Sequence, residues 1–134
     1  MEPFPKVHEL FERIKDDRKR IVVASSGKQK DTEYYVDLLK IDRLIEGYVS
    51  GDEADRSKPA PDIFTACVDK FKLARNESIV IGDTRFDVEA AARAGLRSIG
   101  VTCGGTDANI LRAAGATAVY KDPSDILAQY SDIA

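Results

Sequence analysis

Short, continuous apolar runs alternate along the chain with longer stretches in which apolar residues recur every three or four positions. The first such stretch carries Val7, Leu10, Phe11 and Ile14 and predicts an amphipathic helix over residues 6–17. The same spacing predicts further helices that include residues 35–39, 63–71, 86–94, 107–115 and 126–127. The hydrophobic pattern therefore predicts a chain built largely on helices with short apolar segments between them.

Those apolar segments predict strands at residues 21–25, 48–51, 78–82, 97–101 and 117–120, of which the second is the weakest and the third the clearest. Short strands that alternate with helices favour an α/β fold with three layers, in which a Rossmann-like parallel sheet carries helices on both faces. We expect one such domain over residues 1–134. Ligands of these sheets bind outside the carboxyl ends of the strands, so Ser25, Asp83 and residues 102–105 are predicted to share one rim.

Composition and charge narrow the classes of partner. Hydrophobic residues make up 43% of the 134 residues and charged residues 32%, which is typical of a globular protein. The formal charge is only −3 and the basic residues are scattered, so we expect no nucleic-acid partner and no membrane partner. The N-terminus lacks the layout of a secretion signal. Cys67 and Cys103 lack metal-ligand spacing, which favours reduced thiols and a cytoplasmic location.

Two acids next to the clearest strand are candidate metal ligands. Asp83 follows the strand directly and Asp87 lies one helical turn further on, so their carboxylates can offer hard oxygen ligands to Mg²⁺. The same arrangement has a purely structural interpretation, in which Asp83 caps the following helix. The two residues alone leave both interpretations open.

Two further segments carry candidate phosphate-binding groups. Lys58 precedes a Pro-Ala-Pro segment that restricts the backbone, so its ammonium can act as a fixed charge for a phosphate or a carboxylate. Ser25 and Ser26 stand at a strand end beside Gly27, where hydroxyl and N–H groups can bind phosphate oxygens. The alternative interpretations are a solvated surface lysine and a plain helix N-cap.

The order of these three segments is more specific than any one of them. A strand ending at Ser25, a Lys-Pro-x-Pro-Asp segment beginning at Lys58, and a strand followed by Gly-Asp-x-x-x-Asp at Asp83 come in succession. This series resembles the haloacid dehalogenase-like (HAD) hydrolase superfamily, in particular its phosphoglycolate phosphatase-like branch. The resemblance extends over residues 4–127. It implies a Mg²⁺-dependent phosphatase that hydrolyses a small phosphomonoester through an aspartyl-phosphate.

The resemblance also implies a role for each candidate residue. Ser25, with Ser26 beside it, would bind the substrate phosphate. Lys58 would bind the same phosphate and, as a catalytic residue, stabilise the aspartyl-phosphate. Asp83 would be a catalytic residue and a Mg²⁺ ligand, with Asp87 as its partner ligand or a supporting acid. The implied cofactor is therefore Mg²⁺, bound weakly in this chain, and the implied partner is a small phosphorylated metabolite.

One motif of the family has no counterpart in these residues. The family's first strand ends in Asp-x-Asp-Gly-Thr, whose first aspartate is the nucleophile, whereas the upstream acids here, Asp16 and Asp17, are adjacent and lie at the end of a helix, before the first strand. The cap domain that usually intervenes is absent as well. Ser25 has no base to activate it. We therefore expect a truncated HAD-like core that is inactive as an isolated chain.

The missing motif would also remove the central strand of the sheet, between residues 21–25 and 78–82. Neighbouring strands lie about 4.8 Å apart, so the gap would be about twice that distance, too wide for hydrogen bonds. Either the two strands close up or a strand from elsewhere completes the sheet, and we expect a dimer or a strand-completing partner. Two alternatives to a phosphatase core remain: a non-catalytic module that binds phosphate or Mg²⁺, and an interaction subunit completed by another chain.

Overall fold

The computed structural model describes residues 6–25 and 27–132, and its helices and strands alternate as the hydrophobic pattern predicts. The helices are α1 (Val7–Asp16), α2 (Gln29–Leu39), α3 (Asp62–Phe71), α4 (Arg85–Arg93), α5 (Ala108–Ala114) and α6 (Pro123–Ala128). The strands are β1 (Val22–Ala24), β2 (Gly47–Val49), β3 (Ile79–Gly82), β4 (Arg97–Val101) and β5 (Ala118–Tyr120). Across the described residues, no helix combines the length and the hydropathy that a membrane span needs.

The strands form two separate parallel sheets. β1 pairs with β2, with Val23 opposite Tyr48, while β3, β4 and β5 form the second sheet in that order. Within the described residues, no ladder of hydrogen bonds joins β1 to β3. The sheet is therefore divided at the position where the sequence predicts a missing strand, and β1 and β3 have not closed directly onto each other.

A shared hydrophobic core joins the two sheets. α3 contributes Ile63, Phe64, Cys67 and Val68, and it packs on β1 and β2 and against α4. The buried core also includes Val49, Ala90, Ala91 and Ala94, and strand residues that are partly buried pack against it, namely Val22, Ala24 and Val80. Helices α3 and α4 thus hold the two sheets together from one face.

The opposite face is covered in part by α1 and α6, which pack on each other. Leu10 of α1 and Ile126 of α6 are buried with Val101 of β4 and Tyr130. All of β4 except its first residue is buried, which requires cover on both faces of the second sheet. The structure confirms the predicted three-layer α/β arrangement.

The cover does not extend over β3. Ile79 and Ile81 are 37% and 46% exposed, whereas Val80 between them packs against the shared core. Successive side chains of a strand point to opposite faces, so the two isoleucines define one open apolar face. This face lies on the strand whose outer edge is unpaired within the described residues.

Candidate functional site

The end of β3 brings the two acids together. Gly82 ends the strand, Asp83 follows it, and α4 begins two residues later at Arg85. Thr84 is the N-cap of α4, and its hydroxyl accepts a hydrogen bond from the N–H of Asp87 at 3.3 Å. The turn between strand and helix is therefore short, and it places the carboxylate of Asp87 under the backbone of Asp83.

Asp87 completes a capping box. Its Oδ2 accepts hydrogen bonds from the N–H groups of Asp83 and Thr84, at 3.2 and 3.1 Å, and from the Thr84 hydroxyl at 3.0 Å. These N–H groups lie at the N-cap of α4 and one residue before it, where the helix itself offers them no partner. The capping role considered for Asp83 thus belongs to Thr84 and Asp87. The Thr-x-x-Asp spacing was the signal in the sequence that could have revealed it.

Lys58 reaches the other oxygen of the same carboxylate. Its Nζ lies 2.5 Å from Oδ1 of Asp87 and 5.7 Å from the centre of the Phe64 ring. The side chains of Lys58 and Asp87 are only 18% and 10% exposed. Lys58 is therefore not a solvated surface lysine, and the loop before α3 holds its ammonium at the end of β3.

The ion pair sets the charge of Asp87. Burial opposes ionisation of this carboxyl, but the Lys58 ammonium and the Thr84 hydrogen bonds outweigh burial and hold the pKa of Asp87 below its ordinary value. Asp83 has the opposite shift. Partial burial of its carboxyl, and then the negative charge of Asp87, raise the pKa of Asp83, and Lys58 offsets only part of this rise.

These groups line an open depression of about 380 Å³. Its walls are formed by Ser57, Lys58, Asp83, Thr84, Phe86 and Asp87. The sequence interpretation did not include Ser57 or Phe86, and nothing in their local pattern marks them. Phe86 is 43% exposed, so the depression has an apolar wall beside its charged floor.

Ser25 lies on the same rim but belongs to the first sheet. It follows β1, and its Oγ accepts a hydrogen bond from the N–H of Gly27 at 3.1 Å. The carbonyl of Gly27 accepts one from the N–H of Gly51 at 2.7 Å, and Gly51 lines a small pocket together with Lys58. Ser25 is not among the residues that line the larger depression. Ser26, the other predicted phosphate-binding residue, lies outside the described residues.

The acids at this rim fit a weakly held Mg²⁺ better than a closed metal site. The described residues hold no cluster of three or more His, Cys, Asp or Glu side chains able to bind a metal. Mg²⁺ keeps several of its waters and commonly binds through one or two carboxylates. Asp83 can supply one such ligand, whereas both oxygens of Asp87 already accept hydrogen bonds.

Cys103 stands near this site without being activated by it. Burial, and then the negative charges of Asp83 and Asp122, raise the pKa of its thiol. A thiol whose pKa is raised is largely protonated at neutral pH and is a poor nucleophile. Cys103 therefore lacks the properties of a nucleophile at this rim.

The parallel strands and their covering helices define an α/β protein, and its charged rim brings Lys58, from the loop before α3, to the two acids that follow β3. Residues 1–101 match the family described as haloacid dehalogenase-like hydrolase, and the chain belongs to that family, in its phosphoglycolate phosphatase-like branch. The family prediction made from the order of the three segments is therefore confirmed.

Similar proteins support the same placement. The chain is 31% identical over 124 residues to the phosphorylated carbohydrates phosphatase of Thermotoga maritima, and 26% identical over 92 residues to the phosphoglycolate phosphatase of Escherichia coli. The first match covers 92% of this chain and 57% of the relative, and the second covers 69% and 36%. A hydrolase from Pseudomonas syringae shares the fold with a TM-score of 0.90 and 33% identity, over 99% of this chain and 62% of that one. The chain thus spans about a third to three fifths of these relatives.

Proposed function

We propose that these residues form the phosphate- and cation-binding part of a phosphomonoester hydrolase site. The observation that carries the proposal is the cluster at the end of β3, where the Lys58 ammonium is fixed by Asp87 beside the exposed residue Asp83. A phosphoryl group in the depression would meet a positive charge whose position is set by the protein. Phosphoryl transfer depends on such positioning and charge neutralisation.

Each residue has a distinct proposed task. Lys58 binds a phosphate oxygen and neutralises negative charge, while Asp87 holds the ammonium in place and keeps it aimed at the depression. Asp83 holds the cation, and a bound Mg²⁺ would neutralise further phosphate charge. Ser25 does not line the depression, but its oxygen accepts the Gly27 N–H and its hydroxyl hydrogen is left to donate, so its proposed task is a hydrogen bond to the phosphate from the neighbouring first sheet.

The same residues do not supply an attacking group. The sequence has one histidine, His8, which lies on α1 and contacts Glu12 there. Ser25 therefore has no histidine base at the rim, and Lys58 is already paired with Asp87. We propose that these 134 residues bind phosphate and Mg²⁺ but do not hydrolyse a phosphomonoester without an added nucleophile.

The proposed substrate is a small phosphorylated metabolite. Support comes from the open depression, which has one apolar wall at Phe86, and from the relative named for phosphorylated carbohydrates. We further propose a cytoplasmic setting. Both cysteines are free, and Cys67 is buried in the shared core, as a reduced thiol would be.

Binding and turnover can be measured separately on this chain. Titration with MgCl₂ and with inorganic phosphate, followed by NMR, should shift the signals of the rim. Lys58→Met should abolish the phosphate response and Asp83→Asn the Mg²⁺ response, while Lys70→Met, at an exposed ion pair elsewhere, should preserve both. Binding that survives Lys58→Met and Asp83→Asn would contradict the proposed site. Hydrolysis of p-nitrophenyl phosphate that Asp83→Asn abolishes would contradict the proposed inactivity.

A second candidate function is an interaction subunit completed by a strand from another chain. The observation that favours it is β3, whose outer edge is unpaired within the described residues and whose Ile79 and Ile81 are exposed. Such an edge is a template for a further strand. Small-angle scattering tests the candidate on the isolated chain: a mass of two or more chains supports it, and a single-chain mass at every concentration contradicts it.

A further inference from the structure

We propose that Gly104 is a positioning residue for Asp83: the space left by its missing side chain is the space in which the Asp83 carboxylate lies. The importance of this for function rests on the proposed role of Asp83 as the cation ligand. The contact itself is independent of that role, because it follows from the geometry of the loop after β4.

The distances leave no room for a side chain at position 104. A Cβ atom built on Gly104 would lie 2.2 Å from Oδ2 of Asp83 and 2.8 Å from both its Cβ and its Cγ. The oxygen alone could move away by a change of rotamer. The Cβ of Asp83 is fixed by the backbone, so relief of that contact requires the loop or the end of β3 to move.

The register of the sheet explains why the loop comes so close. β3 and β4 are paired in parallel with Gly82 opposite Gly100, so the residues that follow the two strands remain neighbours. The chain after β4 turns at once into a 3₁₀ turn, Thr102–Gly104, which the N–H of Gly105 closes onto the carbonyl of Thr102 at 3.0 Å. The turn therefore packs its last residue directly against Asp83.

This packing determines how Asp83 meets the depression. The turn lies against one side of the carboxyl, while Asp83 also lines the depression together with Lys58 and Asp87. A side chain at position 104 would turn the carboxylate out of this orientation.

Gly105 provides a matched control in the same loop. Its φ of +98° favours glycine, but a Cβ there would meet no atom within 4 Å. Alanine at 105 therefore strains the backbone of the loop without touching Asp83, whereas alanine at 104 presses on Asp83 directly. A comparison of Gly104→Ala with Gly105→Ala therefore distinguishes displacement of the Asp83 carboxylate from general damage to the loop.

The first measurement is the affinity for Mg²⁺ alone, by NMR titration of wild type, Gly104→Ala, Gly105→Ala and Asp83→Asn. We expect Gly104→Ala to weaken Mg²⁺ binding by about 10- to 100-fold, the range seen when a group that orients a metal ligand is changed. Gly105→Ala should keep the wild-type affinity. Unchanged affinity in Gly104→Ala, or an equal loss in Gly105→Ala, would overturn the proposal.

The second measurement does not depend on a metal. Gly104→Ala should lower the melting temperature of the wild-type chain but not that of the Asp83→Gly variant, in which the obstructing atoms are gone. If Gly104→Ala fails to fold, recovery of folding in the double variant supports the contact. Equal destabilisation in both backgrounds, or a double variant that also fails to fold, overturns it. A wild type that binds no Mg²⁺ would refute the proposed cation site, while this comparison would still decide the role of Gly104.

Discussion

The ammonium of Lys58 lies 2.5 Å from a carboxylate oxygen of Asp87, although the two residues are 29 positions apart in the sequence. The contact joins the loop before α3 to the first turn of α4. It therefore connects the helix that covers the first sheet to the helix that covers the second. This one ion pair holds the Lys58 ammonium at the rim and also links the two sheets through the helices that cover them.

Replacement of Lys58 should destabilise the fold as well as the site. Lys58→Met leaves the buried carboxylate of Asp87 with one oxygen unpaired, which should lower the free energy of unfolding by about 1–3 kcal/mol. Urea denaturation followed by circular dichroism measures the change. Lys70→Met is the control, because Lys70 pairs with Glu53 at 2.9 Å between side chains that are 47% and 37% exposed, and should cost less than about 1 kcal/mol. An equal loss in both variants would contradict a special role for Lys58.

Acid should remove the difference in stability between the wild type and Lys58→Met. The pKa of Asp87 is held below its ordinary value of 3.8, since the Lys58 and Thr84 contacts outweigh burial. A carboxyl with a lowered folded-state pKa contributes stability above its unfolded-state pKa and loses it as the pH falls through the folded-state pKa. The difference in the free energy of unfolding between the wild type and Lys58→Met should therefore be largest near about pH 7 and should shrink below about pH 4. Urea denaturation at a series of pH values measures it, and a difference that widens on acidification would contradict the assignment.

Asp83 should have the opposite effect on stability. Burial and the neighbouring Asp87 raise its pKa, so the folded state favours the protonated form and the ionised form at neutral pH costs stability. Asp83→Asn should therefore raise the melting temperature at neutral pH. The corresponding gain in the free energy of unfolding should be up to about 1 kcal/mol. The gain should disappear as the pH falls below the unfolded-state pKa, where both states of the wild type are protonated.

Calorimetry of wild type and Asp83→Asn across this pH range measures the effect, with Asp42→Asn at an exposed position as the control. A melting temperature that falls in Asp83→Asn at neutral pH would show that the carboxylate stabilises the fold. A functional group that costs stability is common at sites selected for binding or catalysis.

Most elements of this fold could be predicted from local pattern alone. The β-branched run around Val80 and the alanine-rich stretch before Gly95 predict a strand and a helix, and both are present. These predictions succeed because each depends on residues close in sequence. The Thr84 capping box was equally local, but the acid three residues after the threonine was interpreted as a ligand rather than a cap.

The contacts that shape the site could not be predicted in the same way. The pairing of Lys58 with Asp87 depends on how α3 packs against α4, and the contact of Gly104 with Asp83 depends on the register of β3 and β4. Neither leaves a periodic signal in the sequence. A missing strand between β1 and β3 was predicted only because the order of the motifs resembled a family with one more strand, and whether the two strands close up was left open.

The open edge of β3 should make the chain associate with itself. Ile79 and Ile81 form an exposed apolar face on a strand that has no partner on its outer edge within the described residues, and such edges pair with other chains. Sedimentation velocity should show assemblies that grow with concentration. Ile81→Lys places a charge on this face and should return the chain to a single-chain mass, because a charged edge strand resists pairing.

Ile110→Lys is the matched control, since Ile110 is 48% exposed but lies on α5, and it should leave association unchanged. Association that both substitutions abolish equally, or that Ile81→Lys leaves intact, would show that β3 is not the contact.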